Sequence, residues 1–271
     1  MPELPEVETI KRGLAESIVG LTIADFRADT PKMLNHPLKF YQQTLRGLKI
    51  LSVDRRAKMI IVSLSGGWRL LIHLKLTGQL VYRGDPNRFT HAIFTFKGKR
   101  RLFFNDVRKF GWIRLYREGE LDKHLVAMKL GPEPLEAKFT LAQFKRELEK
   151  RPNNKIKQFL MDPANLAGIG NIYSDEICFF ARVRPTRRVK ELTAHEISLL
   201  FKGIKKILTA AVKYEGTSIS DYVNVQGEAG AYTKKLKVYQ RYGEKCFRCP
   251  GLVERIKLGG RTSSFCPRCQ L

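Results

Sequence analysis

The 271-residue sequence has few acidic side chains for its size: 26 Asp and Glu stand against 50 Lys and Arg, a formal net charge of +24 at pH 7. It lacks an uninterrupted apolar run near the roughly 18 residues of a membrane-spanning helix. Its start is acidic and amphipathic, where an export signal would be basic and then apolar. No internal repeat or low-complexity tract is found. These absences favour an intracellular globular protein, and 43% hydrophobic residues are enough to fill the cores of two ordinary domains.

The excess of positive charge predicts a polyanionic partner. Self-repulsion among so many cations costs free energy unless a polyanion binds them, and a nucleic-acid backbone with its releasable counterions is the usual partner. Residues 232–271 hold ten Lys and Arg and two Glu, so the excess is concentrated towards the end of the chain. Ribosomal and membrane-surface proteins share such a charge, so the charge alone leaves these alternatives open.

Cysteine spacing predicts a metal site. Cys246-x2-Cys249 and Cys266-x2-Cys269 are separated by 16 residues, which is typical of a four-thiolate zinc ribbon. Two disulfides are the alternative, which a reducing cytosol disfavours. Four thiolates leave no open position for water, so one structural zinc ion is expected. The fifth, Cys178, lies in an apolar helical stretch and is expected to be a buried, inert thiol.

Hydrophobic periodicity predicts an α+β protein. Residues 4–18 have apolar side chains at helical spacing. Short apolar runs broken by Gly, Pro, Asp and Asn fill residues 21–116 and are typical of consecutive strands, which favours a β-sandwich. Helical periodicity returns over residues 138–214. Near the end, the Gly259-Gly260 turn predicts a hairpin with Arg261 at its tip, a cation suited to a phosphate.

The opening MPELPEVETI offers an unusual nucleophile. A small second residue such as Pro2 lets Met1 be trimmed, which leaves a secondary amine with a pKa of about 8 and hence partly unprotonated at neutral pH. The alternative is that Pro2 only begins a helix. Glu6 and Glu8 are explained by the positive end of the helix dipole, whereas Glu3 lies beside the amine and is reserved for chemistry.

Seven motifs occur in one order over the whole chain: PELPEVETIKRGL, RRAK at 55–58, HLKLTG at 73–78, DVRKFG at 106–111, LGPEP at 130–134, AGIGNIYSDE at 167–176 and the cysteine ribbon. Together they resemble the bacterial formamidopyrimidine-DNA glycosylase family, which removes oxidised purines, above all 8-oxoguanine, and then cleaves the abasic strand. The related endonuclease VIII branch begins with glycine where this chain has Leu4, so oxidised-pyrimidine specificity is the less favoured reading.

The resemblance implies a set of site residues. The implied catalytic residues are Pro2, Glu3, Lys58 and Arg261. The implied DNA-binding residues are His91, Arg108, Lys157, Asn171 and, from a looser match, Arg151. The implied intercalating residues are Leu76, where the family has Met, Arg108 and Phe110. Around His91, the family has the motif His-x-His, which appears here as Phe89-Thr90-His91. A different histidine, His73, is expected to be a packed or hydrogen-bonded residue.

The resemblance also implies the domain plan. An N-terminal β-sandwich with flanking helices covers residues 1–131, a linker covers 132–137, a helix-two-turn-helix domain covers 138–236 and the zinc ribbon covers 237–271. Within this plan, residues 217–239 resemble the loop that closes over the extruded purine. The implied partner is double-stranded DNA with oxidised purines or abasic sites. A monomer in the bacterial cytoplasm that works at the nucleoid, with no membrane partner, is expected.

The same residues leave a competing hypothesis open. A catalytically silent protein that binds damaged DNA would need the charge, the zinc ribbon and the intercalating residues equally. Only Pro2, Glu3 and Lys58 distinguish an enzyme from such a binder, and their joint presence favours the enzyme.

Overall fold

The computed structural model describes residues 2–271. Met1, and with it the expected trimming, lies outside the described residues. The helices are α1 (Leu4–Ile18), α2 (Leu38–Leu45), α3 (Glu118–Ala127), α4 (Leu141–Glu149), α5 (Ile156–Met161), α6 (Asn171–Ala181) and α7 (Ala194–Lys213). The strands are β1 (Ile23–Ala28), β2 (Ile50–Arg56), β3 (Met59–Leu64), β4 (Trp68–His73), β5 (Gly78–Tyr82), β6 (Thr90–Phe96), β7 (Arg101–Asp106), β8 (Trp112–Arg117), β9 (Glu254–Leu258) and β10 (Arg261–Phe265). None of these described helices is long and apolar enough to cross a membrane.

Within the described part of the chain, residues divide into two compact units. The first contains the chain up to residue 129 together with 212–233, and the second contains 130–211 together with 234–271.

The first unit is the predicted β-sandwich. Its antiparallel sheets have the strand orders β1-β6-β7-β5 and β2-β3-β4-β8. Side chains of both sheets and of α1 join one buried cluster, in which Phe26 and Phe94 meet with ring centroids 4.7 Å apart. The alternation of apolar and polar residues places one face of each sheet in this cluster, and helix α1 contributes Val7, Ile10 and Leu14. Helix α2 is an addition that the sequence pattern did not predict.

Residues 212–233 belong to the first unit, whereas the domain plan that the resemblance implied includes them in residues 138–236. Tyr222 and Val225 are buried in the sandwich cluster, and the Val225 carbonyl accepts the Tyr82 N–H at 2.8 Å on the edge of β5. Local periodicity cannot predict these contacts, because they join residues that are far apart in the sequence.

The second unit combines helices with the ribbon. Aromatic rings fill the helical core, with Phe139 and Phe201 centroids 5.6 Å apart. In the ribbon, β9 and β10 pair antiparallel from Arg261 opposite Leu258 onward, which confirms the predicted hairpin. Both turn residues have positive φ, 56° at Gly259 and 73° at Gly260, as a tight two-residue hairpin turn requires.

Helix α6 holds the ribbon through a buried carboxylate. Glu176 is 3% exposed and accepts the backbone N–H groups of Lys237, Val238 and Tyr239 at 2.9 to 3.0 Å. Burial raises the pKa of Glu176, and these three donors act in the opposite direction. Cys178 on the same helix is fully buried, and burial raises the pKa of its thiol, as expected for an inert cysteine.

Candidate active site and nucleic-acid interface

The described chain begins at a buried helix start. Pro2 is buried and Glu3, 2% exposed, is the N-cap residue of α1. The Glu6 carboxylate accepts the Glu3 N–H at 2.8 Å and the Thr217 N–H at 2.8 Å. Glu6 therefore fixes the chain start and joins it to the segment after α7. The helix dipole alone accounted for Glu6 in the sequence, because a partner 211 positions away leaves no local signal.

Lys58 lies in the tight turn between β2 and β3. The preceding Ala57 has a left-handed backbone with φ 52°, which a small side chain tolerates best. Arg55 fixes this turn to α1, because its Nε lies 3.0 Å from Glu8 Oε2 and both side chains are largely buried. Its guanidinium also donates to the Ala57 carbonyl at 2.8 Å. The RRAK motif thus holds the half-buried Lys58 at a turn that is braced against the first helix.

His73 is a neutral, packed histidine. Its Nδ1 accepts the Lys75 N–H at 2.9 Å, and its ring packs on Trp112 with centroids 5.5 Å apart. Burial, and then the positive charges of Lys75 and Lys58, lower the pKa of His73 to about 3. This arrangement agrees with the expected structural role. It also places the Lys58 charge near the end of β4.

One carboxylate organises the two turns that carry the predicted intercalating residues. Asp106 is fully buried and accepts the Gly111 N–H at 2.7 Å, the Arg108 N–H at 3.1 Å and the Thr77 hydroxyl. Thr77 belongs to the turn after β4 and Gly111 to the turn after β7. A Cβ at Gly111 would lie 2.6 Å from Phe104, so only glycine fits there. The turns of the HLKLTG and DVRKFG motifs are therefore joined by hydrogen bonds to this one carboxylate.

The predicted intercalating side chains lie together on this structure. Leu76 and Phe110 line one cleft of about 520 Å³, and the Arg108 guanidinium lies 4.9 Å from the Phe110 ring centroid. Phe110 is 49% exposed. Lys32 and Lys109 also line the cleft, so an exposed apolar surface is bordered by cations. This combination suits insertion into a base stack next to phosphates.

His91 is turned away from solvent. It is 4% exposed on β6, and its Nδ1 lies 3.0 Å from Asp29 Oδ1. Its Nε2 is buried and has no hydrogen-bond partner among residues 2–271. The phosphate contact that the resemblance implied for His91 stays a prediction.

In the second unit, two predicted phosphate contacts meet in one cleft. Asn171 is the first residue of α6 and Arg261 follows the ribbon turn, and both line a cleft of about 610 Å³. The positive end of a helix dipole and a nearby guanidinium both favour an anion. Arg151, the other predicted contact, is exposed just after α4. It stays a prediction.

Lys157 is a buried ion-pair partner. Its side chain is 1% exposed, and its Nζ lies 2.7 Å from Asp175 Oδ1 and donates to the Thr262 carbonyl at 3.1 Å. Asp175 also accepts the Ser263 hydroxyl at 2.7 Å and the Ser264 N–H at 2.9 Å. The DNA contact that the resemblance implied for Lys157 stays a prediction. The pair fixes β10, which carries Arg261, to α5 and α6.

The four ribbon cysteines form a site for one zinc ion. Their sulfur atoms all lie within 4.8 Å of one another, with Cys246 to Cys269 at 3.8 Å and Cys249 to Cys266 at 3.6 Å. Tetrahedral zinc with Zn–S bonds of about 2.3 Å requires sulfur atoms about 3.8 Å apart. A disulfide would need about 2.05 Å, so the alternative of two disulfides does not fit. Four thiolates fill the coordination sphere, so the ion is structural.

Three family models match the chain in order. Residues 1–113 match the formamidopyrimidine-DNA glycosylase N-terminal domain, residues 130–223 match the H2TH domain of the same proteins, and residues 243–271 match a zinc finger found in FPG and IleRS. The third match covers the cysteine site and identifies its metal as zinc.

Similar proteins match over their whole length. A formamidopyrimidine-DNA glycosylase of Pelotomaculum thermopropionicum is 41% identical over all of this chain and 99% of the relative, and one of Desulfitobacterium hafniense is 39% identical over all of both chains. Among solved structures, MutM in complex with carbocyclic 8-oxo-G containing DNA and Lactococcus lactis Fpg with abasic site containing DNA each have a TM-score of 0.92 at 34% identity, over 99% of both chains.

Proposed function

Because the chain belongs to the formamidopyrimidine-DNA glycosylase family, we propose that it excises oxidised purines from duplex DNA and then cleaves the abasic strand. The relatives carry the name of this activity, and the similar structures hold DNA with an 8-oxo-G analogue, a Fapy-dG or an abasic site. The net charge of +24 suits a protein that works on DNA, and we propose the bacterial nucleoid as its place of work.

The first step is extrusion of the damaged base. A base inside the duplex cannot be attacked, and unstacking it costs about a few kcal/mol. Leu76, Arg108 and Phe110 fill the vacated space. The buried Asp106 supports this role, since it fixes both turns that carry these side chains and so limits the entropy lost on insertion.

The second step is attack by the Pro2 amine on the sugar C1′. The C1′–N bond to the base breaks and its electron pair leaves with the base, while Glu3 donates a proton to the sugar ring oxygen and opens the ring. The resulting iminium acidifies the C2′ hydrogen. Loss of this proton expels the 3′ phosphate, and a second elimination releases the 5′ phosphate. Lys58 and Arg261 stabilise the phosphates.

One observation carries this assignment: the Pro2–Glu3 start is buried and held in place rather than frayed. Glu6 accepts the Glu3 N–H at 2.8 Å and the Thr217 N–H at 2.8 Å. A chain start is ordinarily mobile, and anchoring it costs conformational entropy. Such anchoring suits a terminus that must meet a sugar carbon in a defined direction.

Borohydride trapping on a duplex with 8-oxoguanine tests the proposal. Mass spectrometry first establishes that Met1 is absent, since an amide at Pro2 cannot form the iminium. We expect wild type and the control Pro5→Ala to give a covalent adduct, and Pro2→Gly and Glu3→Gln to lose it. Failure of wild type to trap, with Pro2 free, would identify a silent DNA-binding protein instead.

For lesion choice, we propose oxidised purines covered by residues 217–239. Within this segment, Tyr222 and Val225 are buried in the sandwich cluster, and the Val225 carbonyl accepts the Tyr82 N–H of β5 at 2.8 Å. Single-turnover excision should be faster with 8-oxoguanine than with an oxidised pyrimidine such as thymine glycol. The opposite order would assign the protein to the oxidised-pyrimidine activity.

A further inference from the structure

The cleft beside the predicted intercalating residues contains a side chain to which the proposed function gives no role. Trp112, the first residue of β8, lines this cleft together with Leu76 and Phe110. The volume of about 520 Å³ lies within the range of about 300–1,000 Å³ that is typical of small-molecule sites. The cleft is therefore large enough to receive a nucleobase.

Two neighbours hold the half-buried Trp112 ring in one orientation. His73 lies opposite Trp112 in the register of β4 and β8, and the two ring centroids are 5.5 Å apart. The guanidinium carbon of Arg114 lies 4.5 Å from the centroid of the Trp112 ring. Within residues 2–271, the indole N–H of Trp112 donates no hydrogen bond. The ring is thus fixed by its neighbours, while its N–H group is available to a ligand of the cleft.

The polar side chains of the cleft are all hydrogen-bond donors. They belong to Trp112, Lys32, Lys75 and Lys109, and neither an indole N–H nor an ammonium group accepts a hydrogen bond. None of the described lining residues has a side-chain acceptor. Such a cleft favours a ligand that presents mainly acceptors.

Extrusion of the damaged base leaves its partner in the opposite strand unpaired. When Leu76 and Phe110 enter the stack, this partner is the neighbouring base that has lost its hydrogen bonds. On their pairing edges, cytosine and thymine present more acceptors than donors, whereas guanine presents more donors than acceptors. The donor-only cleft therefore matches an unpaired pyrimidine.

From these observations we propose that Trp112 is a specificity-determining residue, whose indole N–H donates to the pyrimidine that the extruded base leaves unpaired in the opposite strand. This inference rests on the proposed function, which supplies the duplex and the extrusion. It assigns insertion into the stack to Leu76 and Phe110, and recognition of the remaining base to Trp112.

Binding to duplexes that differ only in the opposite base tests Trp112. Each duplex carries an uncleavable tetrahydrofuran abasic analogue, opposite either thymine or difluorotoluene, which has the shape of thymine but lacks its hydrogen-bonding groups. Wild type, Trp112→Phe and the control Trp68→Phe are compared by equilibrium binding. Trp68 is the other tryptophan of the chain and also lies half-buried in this sheet, with the Arg117 guanidinium carbon 4.1 Å from its ring, but it does not line the cleft.

We expect wild type and Trp68→Phe to bind the thymine duplex about fivefold more tightly than the difluorotoluene duplex, which is the value of one hydrogen bond. Trp112→Phe keeps an aromatic ring but lacks the N–H, so it should bind both duplexes equally. Because the ratio is taken within each variant, a partly unfolded sample does not change it. The inference is overturned if Trp112→Phe retains the wild-type ratio, if wild type shows no preference, or if Trp68→Phe loses the preference as well.

Excision measured in parallel separates this inference from the proposed function. If wild type excises 8-oxoguanine and Trp112→Phe retains the preference for thymine, the role of Trp112 alone is refuted. If wild type excises nothing and its preference still depends on Trp112, the contact stands and the glycosylase assignment fails.

Discussion

At the residue scale, the proposed insertion of Leu76 into the base stack can be tested by substitution. It lines the cleft with Phe110 and occupies the position where the family has Met. Leu76→Ala should slow single-turnover excision of 8-oxoguanine about tenfold or more, because the cost of unstacking is no longer offset. Leu76→Met should stay close to wild type, since volume and polarity are conserved. Val107→Ala, an exposed apolar residue of the neighbouring turn, is the control. Equal rates for Leu76→Ala and Val107→Ala would remove Leu76 from the mechanism.

His73 provides a pH-dependent prediction. Its pKa in the folded protein is lowered to about 3 by burial and by Lys75 and Lys58, whereas the unfolded chain has an ordinary value of about 6.5. The unfolded state therefore binds a proton first on acidification. The contribution of His73 to stability is fully present above the unfolded pKa and is lost as the pH falls towards 3.

NMR titration of the His73 ring checks this prediction, with the urea-unfolded protein as reference. The ring should stay neutral well below the unfolded pKa, and Lys58→Gln should raise its pKa because one repulsive charge is removed. A ring that titrates near the unfolded value would contradict the described packing, and an unchanged pKa in Lys58→Gln would separate Lys58 from His73.

At the scale of elements, the Lys157–Asp175 pair joins α5, α6 and β10. Lys157→Met leaves the Asp175 carboxylate buried and unpaired, so we expect a loss of about 3–5 kcal/mol in the free energy of unfolding, measured with urea. The double variant with Asp175→Asn should recover part of it. Lys150→Met, which breaks the pair of an exposed lysine with Glu147, should cost at most about 1 kcal/mol. Equal losses for the two lysine variants would show that burial is not the cause.

The zinc ribbon depends on its metal. The cluster that contains the cysteines is small and includes Phe179, Val238 and Val253, so the apolar contacts alone hold the hairpin weakly. Removal of zinc with a strong chelator should unfold β9 and β10 and release Arg261, because metal binding and folding are coupled in such sites. Backbone amide NMR and DNA affinity should change together, while signals of the sandwich persist. An intact hairpin without metal would contradict the structural role of zinc.

Patterns that repeat locally were predictable from the sequence. The short apolar runs of residues 21–116, the glycine turn before Arg261 and the cysteine spacing each predict a structure that depends on neighbours in the chain, and each is confirmed. Side-chain direction was less predictable. Lys157 and His91 match family positions, but the sequence does not display the contacts of their side chains with Asp175 and Asp29. The contact of Asp106 with Thr77 is also long-range, so the sequence did not reveal that Asp106 joins the two turns that carry the predicted intercalating residues.

At the scale of the whole molecule, the proposed work is divided between the two units. The first unit contains the chain start, Lys58 and the intercalating side chains, and the second contains the helix-start cleft and the zinc ribbon. The net charge of +24 draws both units to the same polyanion. The proposed chemistry nevertheless depends on a single nitrogen atom, that of Pro2.

Peptide mapping of the borohydride-reduced adduct tests that claim most directly. After digestion of protein and DNA, tandem mass spectrometry locates the residue that carries the reduced sugar remnant. We predict that the remnant is on the amine of Pro2, in a peptide that begins PELPEVETIK. A remnant on a lysine side chain, such as that of Lys58, with Pro2 unmodified, would contradict the account.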